Sequence, residues 1–222
     1  MTYKQENMTF LKGHKNPPTC ITLSKDDLFA FTGGKDGCII KWDLQNQTKT
    51  VIKDAHKGQI ICIAISFDDK YLATGGKDSK LKIWDAKQLK FLHEFKDHEG
   101  HVTSVAFRMG TPQLYSGSTD RQIKIFNVEE MAYVDSLYGH ESTVTGIDAL
   151  FRDTCLSCGD DSSCRLWKVM NETQTIFKGH TNCIECIKMV DENKFITGGQ
   201  DGRLALWSKG KKKPLSVNCF FF

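Results

Sequence analysis

Short apolar or alternating runs, separated by turn-forming residues, recur along the whole chain. In the first stretch these runs are residues 19–24, 29–34, 38–44 and 50–53, and each has the length and alternation of a β-strand. The glycine-rich segment 33–37 supplies a tight turn between the second and third runs, because glycine adopts a positive φ at little cost. No helical period is found, so the pattern predicts an all-β protein.

Four kinds of residue recur at one spacing, with five histidines that lie 42, 42, 42 and 40 positions apart. A Ser or Thr precedes each Asp by four positions, and each Asp precedes an aromatic residue by six. The four series are His14, His56, His98, His140 and His180; Thr32, Thr74, Ser116, Ser157 and Thr197; Asp36, Asp78, Asp120, Asp161 and Asp201; and Trp42, Trp84, Phe126, Trp167 and Trp207. A period of about 40–45 residues with Gly-His early and Trp-Asp late is typical of WD repeats, which form the four-stranded blades of a β-propeller.

The period divides the chain into an N-terminal segment and five predicted blades. Segment 1–12 contains a lone outer strand at 8–11, and the repeats follow at about 13–54, 55–96, 97–138, 139–178 and 179–220. Because WD blades usually pack as sevens, we expect five full blades and one extra strand to be part of a seven-bladed ring. The chain would then be a fragment, a truncated splice product or an incomplete gene model, whose open faces favour self-association. A closed ring of five blades is the alternative.

The repeated side chains predict a hydrogen-bond set inside each blade. Asp36 would fix the tautomer of His14, His14 would reach the Thr32 hydroxyl, and that hydroxyl would meet the indole N–H of Trp42. In the third blade Phe126 has no N–H, so the set loses its last hydrogen bond. On this count, the third blade is expected to be the least stable of the five.

The same residue types also form hydrolase triads, but an enzyme needs such a triad once, and here it occurs five times in one register. The chain has no Gly-x-Ser-x-Gly, Walker or His-Glu-x-x-His motif. The sequence therefore predicts no enzyme activity, no catalytic residue and no small-molecule substrate or cofactor.

Two Cys-x-x-Cys pairs, Cys155 with Cys158 and Cys183 with Cys186, resemble zinc knuckles. Both pairs fall on predicted strands, where residues three apart point to opposite faces. The sequence therefore predicts no metal site.

Composition narrows the class further. The 222 residues carry a net charge of +3, and no apolar run approaches the roughly 18 residues of a membrane span. The first ten residues are polar and lack an apolar stretch, so we expect no signal peptide, and nine scattered cysteines fit a reducing compartment.

Basic residues recur in or near the turns between the second and third strands. The candidate RNA contacts among them are Lys35, Lys77, Arg121, Arg165 and Arg203. A ring of such residues can follow a phosphate backbone, and it can equally be a solvated rim. The basic run 209–213 has the same two interpretations.

Several segments resemble the WD-repeat proteins of the U-three small nucleolar ribonucleoprotein. They are residues 106–116, with an Arg-x-Gly insert that most WD repeats lack, 133–140, 146–150, 201–207 and 211–215. The resemblance implies a nuclear, nucleolar scaffold of a box C/D-type particle that acts in pre-ribosomal RNA processing. Its implied partners are the U-three type small nucleolar RNA, bound at the box B/C region, and neighbouring particle proteins; no membrane is implied.

A generic WD-repeat adaptor, such as a substrate receptor of a ubiquitin ligase, is the alternative. Receptors of that type often carry Trp-Asp-x-Arg at the end of the third strand. In this chain Gln45 and Lys87 stand in the Arg position, which speaks against this alternative.

Overall fold

The computed structural model describes residues 10–171 and 173–219. These residues form twenty β-strands and one turn of 3-10 helix, Val169–Asn171. Four consecutive strands make each of the five sheets, which we call blades 1 to 5. No helix in the described ranges is long and apolar enough to span a membrane.

Each blade consists of four strands that are consecutive in the chain. Blade 1 contains β1 (Pro18–Leu23), β2 (Phe29–Gly34), β3 (Ile39–Asp43) and β4 (Thr48–Ile52). Blade 2 contains β5 (Ile60–Ile65), β6 (Tyr71–Gly76), β7 (Leu81–Asp85) and β8 (Phe91–Phe95). Blade 3 contains β9 (Val102–Phe107), β10 (Gln113–Ser118), β11 (Ile123–Asn127) and β12 (Ala132–Leu137). Blade 4 contains β13 (Val144–Ala149), β14 (Thr154–Gly159), β15 (Ser163–Lys168) and β16 (Thr173–Lys178), and blade 5 contains β17 (Ile184–Met189), β18 (Lys194–Gly199), β19 (Arg203–Ser208) and β20 (Ser216–Cys219).

All neighbouring strands within a blade are antiparallel, and the first strands of successive blades lie side by side. The strand β1 packs on β5, β5 on β9, β9 on β13 and β13 on β17. Within the described ranges no corresponding packing joins β17 to β1, so the five blades form an open arc.

The hydrophobic core lies between the blades. At the junction of blades 1 and 2, Phe31 and Ile39 pack in one buried cluster with Ile60, Leu72 and Trp84. Both faces of the middle strands are buried in this way, which is why these strands read as nearly continuous apolar runs.

The first strand of every blade contains a β-bulge, at Thr19, Ile61, Thr103, Thr145 and Glu185 respectively. A bulge redirects one side chain out of the regular alternation. The hydroxyl of Thr19 donates to the carbonyl of Ile60 in the next blade. Hydroxyls at the third and fourth bulges bridge to the following blade in the same way. Ile61 has no hydroxyl, and Cys62 Sγ lies 3.6 Å from the carbonyl of Val102 instead.

The free face of blade 1 contains an apolar groove of about 800 Å³. Trp42 and Leu44 line it, together with Ile21, which is 66% exposed, and Leu23, which is 48% exposed. In the other blades the corresponding surface is covered by the preceding blade.

The expected strand at 29–34 coincides with β2, and the other three strands expected in the first repeat differ from β1, β3 and β4 by one or two residues at their ends. The lone outer strand expected at 8–11 falls in part outside the described residues, which begin at Phe10. Phe10 and Leu11 are not in a strand. That strand and the repeat limits stay predictions.

Candidate nucleic-acid interface

Four side chains meet inside blade 1. Asp36 accepts a hydrogen bond from Nδ1 of His14 at 3.1 Å, which leaves Nε2 as the acceptor for the Thr32 hydroxyl at 2.8 Å. The indole N–H of Trp42 donates to the same hydroxyl oxygen at 2.8 Å. Every polar atom of the Thr32 side chain is therefore used within the blade.

The same geometry recurs in blades 2, 4 and 5. The Nε2-to-hydroxyl distances lie between 2.7 and 2.8 Å, and the indole-to-hydroxyl distances between 2.8 and 2.9 Å. These sets are His56, Thr74, Asp78 and Trp84; His140, Ser157, Asp161 and Trp167; and His180, Thr197, Asp201 and Trp207.

Blade 3 lacks the last link. His98 lies 2.7 Å from both Asp120 and the Ser116 hydroxyl. Phe126 occupies the aromatic position and packs against Phe95, with ring centroids 4.4 Å apart. No indole donates to Ser116, so its oxygen has one partner fewer than in the other blades.

The buried carboxylates of these sets are held in the ionised form. Burial opposes ionisation of Asp120, but hydrogen bonds from His98 and from the backbone N–H groups of Gln122 and Glu99 outweigh it and lower its pKa to about 2. The pKa values of the other four carboxyls are lowered by equivalent hydrogen bonds, also against burial. Each set therefore works as a structural hydrogen-bond unit.

The structure separates the candidate RNA contacts into two kinds. Lys35, Lys77 and Arg121 lie on exposed turns between the second and third strands of their blades. Arg121 occupies a positive φ of 72°. Arg203 is half-buried, and its Nε lies 3.9 Å from Asp201.

The prediction for Arg165 is wrong. Its side chain is buried in β15, with the residue only 5% exposed. One guanidinium nitrogen donates to Gln174 at 2.7 Å, and another lies 3.7 Å from Asp161. Arg165 therefore neutralises a carboxylate inside blade 4 and cannot reach an RNA backbone.

The sequence reasoning missed two exposed lysines that lie beside Lys35 and Lys77. Lys15 and Lys57 each follow the histidine of their set, and their backbone N–H groups donate to the carboxylates of Asp36 and Asp78. The spacing from the histidine was the available signal, but it becomes informative only when all five repeats are aligned.

The centre of the arc contains a cavity of about 490 Å³ between the first strands of the blades. Its wall is mostly apolar, with Ile63, Val105 and Ile147 among the lining residues. Its charged lining residues are Lys25, Asp69, Asp148 and Lys188, of which Asp148 and Lys188 form an ion pair at 2.7 Å.

Residues 5–43, 46–85, 89–127, 131–168 and 171–208 match the model of the WD domain, G-beta repeat. The chain therefore belongs to the WD-repeat family, and its five blades are those of a β-propeller.

More particular relatives belong to one group of WD-repeat proteins. Solved structures of U3-55K and of the RRP9 WD40 repeats each superpose with a TM-score of 0.92 at 40% identity. The match covers 94% of this chain and 66% and 65%, respectively, of those chains.

Among curated proteins, the U3 small nucleolar RNA-interacting protein 2 of Homo sapiens is 41% identical over 46 residues, which are 21% of this chain and 10% of that protein. The Ribosomal RNA-processing protein 9 of Saccharomyces cerevisiae is 29% identical over 106 residues, which cover 31% of this chain and 18% of that protein. An uncharacterized WD repeat-containing protein of Schizosaccharomyces pombe is 42% identical over 82 residues, or 32% of this chain and 16% of that protein. The matched segments thus cover less than a fifth of these curated relatives.

Proposed function

We propose that this chain is a non-catalytic scaffold of a U3-type, box C/D small nucleolar ribonucleoprotein that acts in pre-ribosomal RNA processing in the nucleolus. The observation that carries the proposal is the likeness to U3-55K and the RRP9 WD40 repeats, at 40% identity over 94% of the chain. At this identity the likeness extends beyond the fold shared by all WD-repeat proteins.

The side chains support a binding role. The Ser and Thr hydroxyls that resemble nucleophiles are buried, and each is bound to the histidine of its own set. Exposed lysines, by contrast, stand on the turns at one edge of the arc, where a phosphate backbone can contact them. The proposed partners are the U3-type small nucleolar RNA and other proteins of the particle.

The test is crosslinking and immunoprecipitation of the tagged chain from nuclear extract. We expect the U3 small nucleolar RNA to be enriched over an unrelated box C/D RNA, which serves as the internal control. The tagged chain should also be found in nucleoli by fluorescence microscopy. Recovery of proteins without this RNA would contradict the proposal and favour the generic adaptor.

The apolar groove on blade 1 supports a protein contact in addition to RNA. Ile21 and Leu23 are more exposed than apolar side chains at the equivalent positions of the inner blades. We propose that a second copy of this chain packs on this groove. Sedimentation of the purified chain at increasing concentration measures self-association, and Ile21→Ser should weaken it; a single monomeric species throughout would exclude the second copy.

A further inference from the structure

Two positions on one edge of each blade are fixed by the same backbone hydrogen bonds in all five blades. We call this the upper edge; it consists of the loops that carry the five histidines and the turns between the second and third strands. At the first position, directly after each histidine, the backbone N–H donates to the Asp of the set at 2.9 to 3.2 Å. The residues at this position are Lys15, Lys57, Glu99, Glu141 and Thr181.

The second position begins the turn between the second and third strands. Its backbone N–H donates to a carbonyl of the neighbouring loop at 2.9 to 3.1 Å in every blade. The residues there are Lys35, Lys77, Thr119, Asp160 and Gln200. At both positions the fold uses the backbone. In the part of the chain that the structure describes, the lysine side chains at these positions form no hydrogen bond, whereas Thr119, Asp160 and Gln200 bond to His101, Cys183 and Glu185.

All ten side chains are on exposed residues, and their charges are sorted by blade. Blades 1 and 2 carry lysine at both positions. Blades 3 and 4 carry acids at three of the four positions, Glu99, Glu141 and Asp160, and blade 5 carries no charge at either. Because the backbone geometry is the same throughout, the backbone contacts do not account for this sorting.

The four upper-edge lysines are Lys15, Lys35, Lys57 and Lys77. Among the described residues none of them forms an ion pair, whereas Lys80 and Lys82 both contact Glu94, at 2.7 and 3.4 Å. The loop between blades 1 and 2 contains one exposed acid, Asp54, directly after Lys53. The upper edge of these two blades is therefore strongly positive, and its ammonium groups are available to an external anion.

We propose that the phosphate backbone of the bound RNA crosses the upper edge of blades 1 and 2 and contacts the four upper-edge lysines, while the acids of blades 3 and 4 repel it. The inference rests on the proposed function and assigns its RNA-contacting surface. Ammonium groups on flexible stems bind phosphate as point charges, so these contacts position the strand and do not read its bases.

The experiment measures binding of the whole chain to transcribed U3 small nucleolar RNA over a series of salt concentrations. The test variant replaces the four upper-edge lysines with glutamine, which keeps the backbone contacts. The control variant makes the same change in charge at exposed lysines on the opposite edge, at Lys87, Lys90, Lys168 and Lys194.

Each lost phosphate contact on a single strand lowers the slope of log K against log salt by about 0.7, so the test variant should lose about 3 units of slope. At 0.15 M salt that corresponds to a loss of affinity on the order of a hundredfold. The control variant should keep the slope of the unchanged chain.

Equal slopes for the test variant and the unchanged chain, or an equal loss in the control, would overturn the inference and leave the proposed function standing. Failure of the unchanged chain to bind this RNA would overturn both. A partner protein that is recovered with the unchanged chain after ribonuclease treatment is a further readout. If the test variant alone fails to recover that partner, the upper edge binds protein, which also contradicts the inference.

Discussion

Blades 3 and 4 offer a matched test of the hydrogen-bond sets. Ser116 and Ser157 are both fully buried, and each hydroxyl lies 2.7 Å from its histidine. They differ in that the indole of Trp167 donates to Ser157 at 2.8 Å, whereas Phe126 offers Ser116 no donor. Replacing either serine with alanine removes one hydroxyl and the same volume.

A buried polar group that loses its partner costs about 1–3 kcal/mol. Ser157→Ala leaves Nε2 of His140 and the indole N–H of Trp167 without partners, so we expect the free energy of unfolding to fall by roughly 2–5 kcal/mol. Ser116→Ala leaves only Nε2 of His98 without a partner, and the expected fall is about 1–3 kcal/mol. The difference between the two variants should therefore be at least about 1 kcal/mol.

Urea unfolding followed by circular dichroism gives both free energies, and hydrogen exchange resolved by blade shows where the protection is lost. Ser142→Ala, at a half-buried serine in a loop, is the control and should change stability by less than about 0.5 kcal/mol. Equal losses for the two buried serines would refute the idea that the indole hydrogen bond stabilises the blade.

Asp120 has a pKa of about 2 in the folded chain, below its ordinary value, so its contribution to stability is present above about pH 4 and is lost as the pH falls towards 2. In an acid titration, the stability of Asp120→Asn should therefore depend less on pH in this window than the stability of the unchanged chain. Equal dependence would contradict the assignment. Arg165→Met should lower the free energy of unfolding by about 1–3 kcal/mol because it removes the hydrogen bond to Gln174. It should leave the salt dependence of RNA binding unchanged. A weaker salt dependence in this variant would show that Arg165 contacts RNA. Thr145→Val removes one hydroxyl bridge between blades 4 and 5 and should lower the free energy of unfolding, measured in urea, by about 1 kcal/mol. Ile61→Val, at the equivalent bulge of blade 2, should lower it less. The reverse order would argue against a stabilising role of the hydroxyl bridges.

The period of the sequence predicted the fold because each blade repeats the same four short strands and the same buried set. Predicted and observed strands in blade 1 agree to within one or two residues at their ends. The set residues could be found for the same reason, since His14, Thr32, Asp36 and Trp42 each recur at fixed spacing.

The exposure of the basic residues could not be predicted in the same way. Both faces of a middle strand are buried between blades, so alternation along β15 gives no sign of which residues face solvent. The sequence therefore predicts a surface residue at Arg165, whereas the structure buries it against Gln174 and Asp161. Lys15 and Lys57 were missed because their importance depends on comparing one position across five blades.

The bulge in the first strand of each blade has a consequence for how the arc comes apart. In a repeat array each unit is stabilised mainly by its neighbours, so the weakest junction determines where the array divides. Hydroxyl bridges span the junctions of blades 1 with 2, 3 with 4, and 4 with 5. At the junction of blades 2 and 3 the donor is the thiol of Cys62, 3.6 Å from the carbonyl of Val102. Because a thiol is a weaker donor than a hydroxyl, we expect limited proteolysis to cut first in the loop between β8 and β9, releasing a two-blade piece and a three-blade piece.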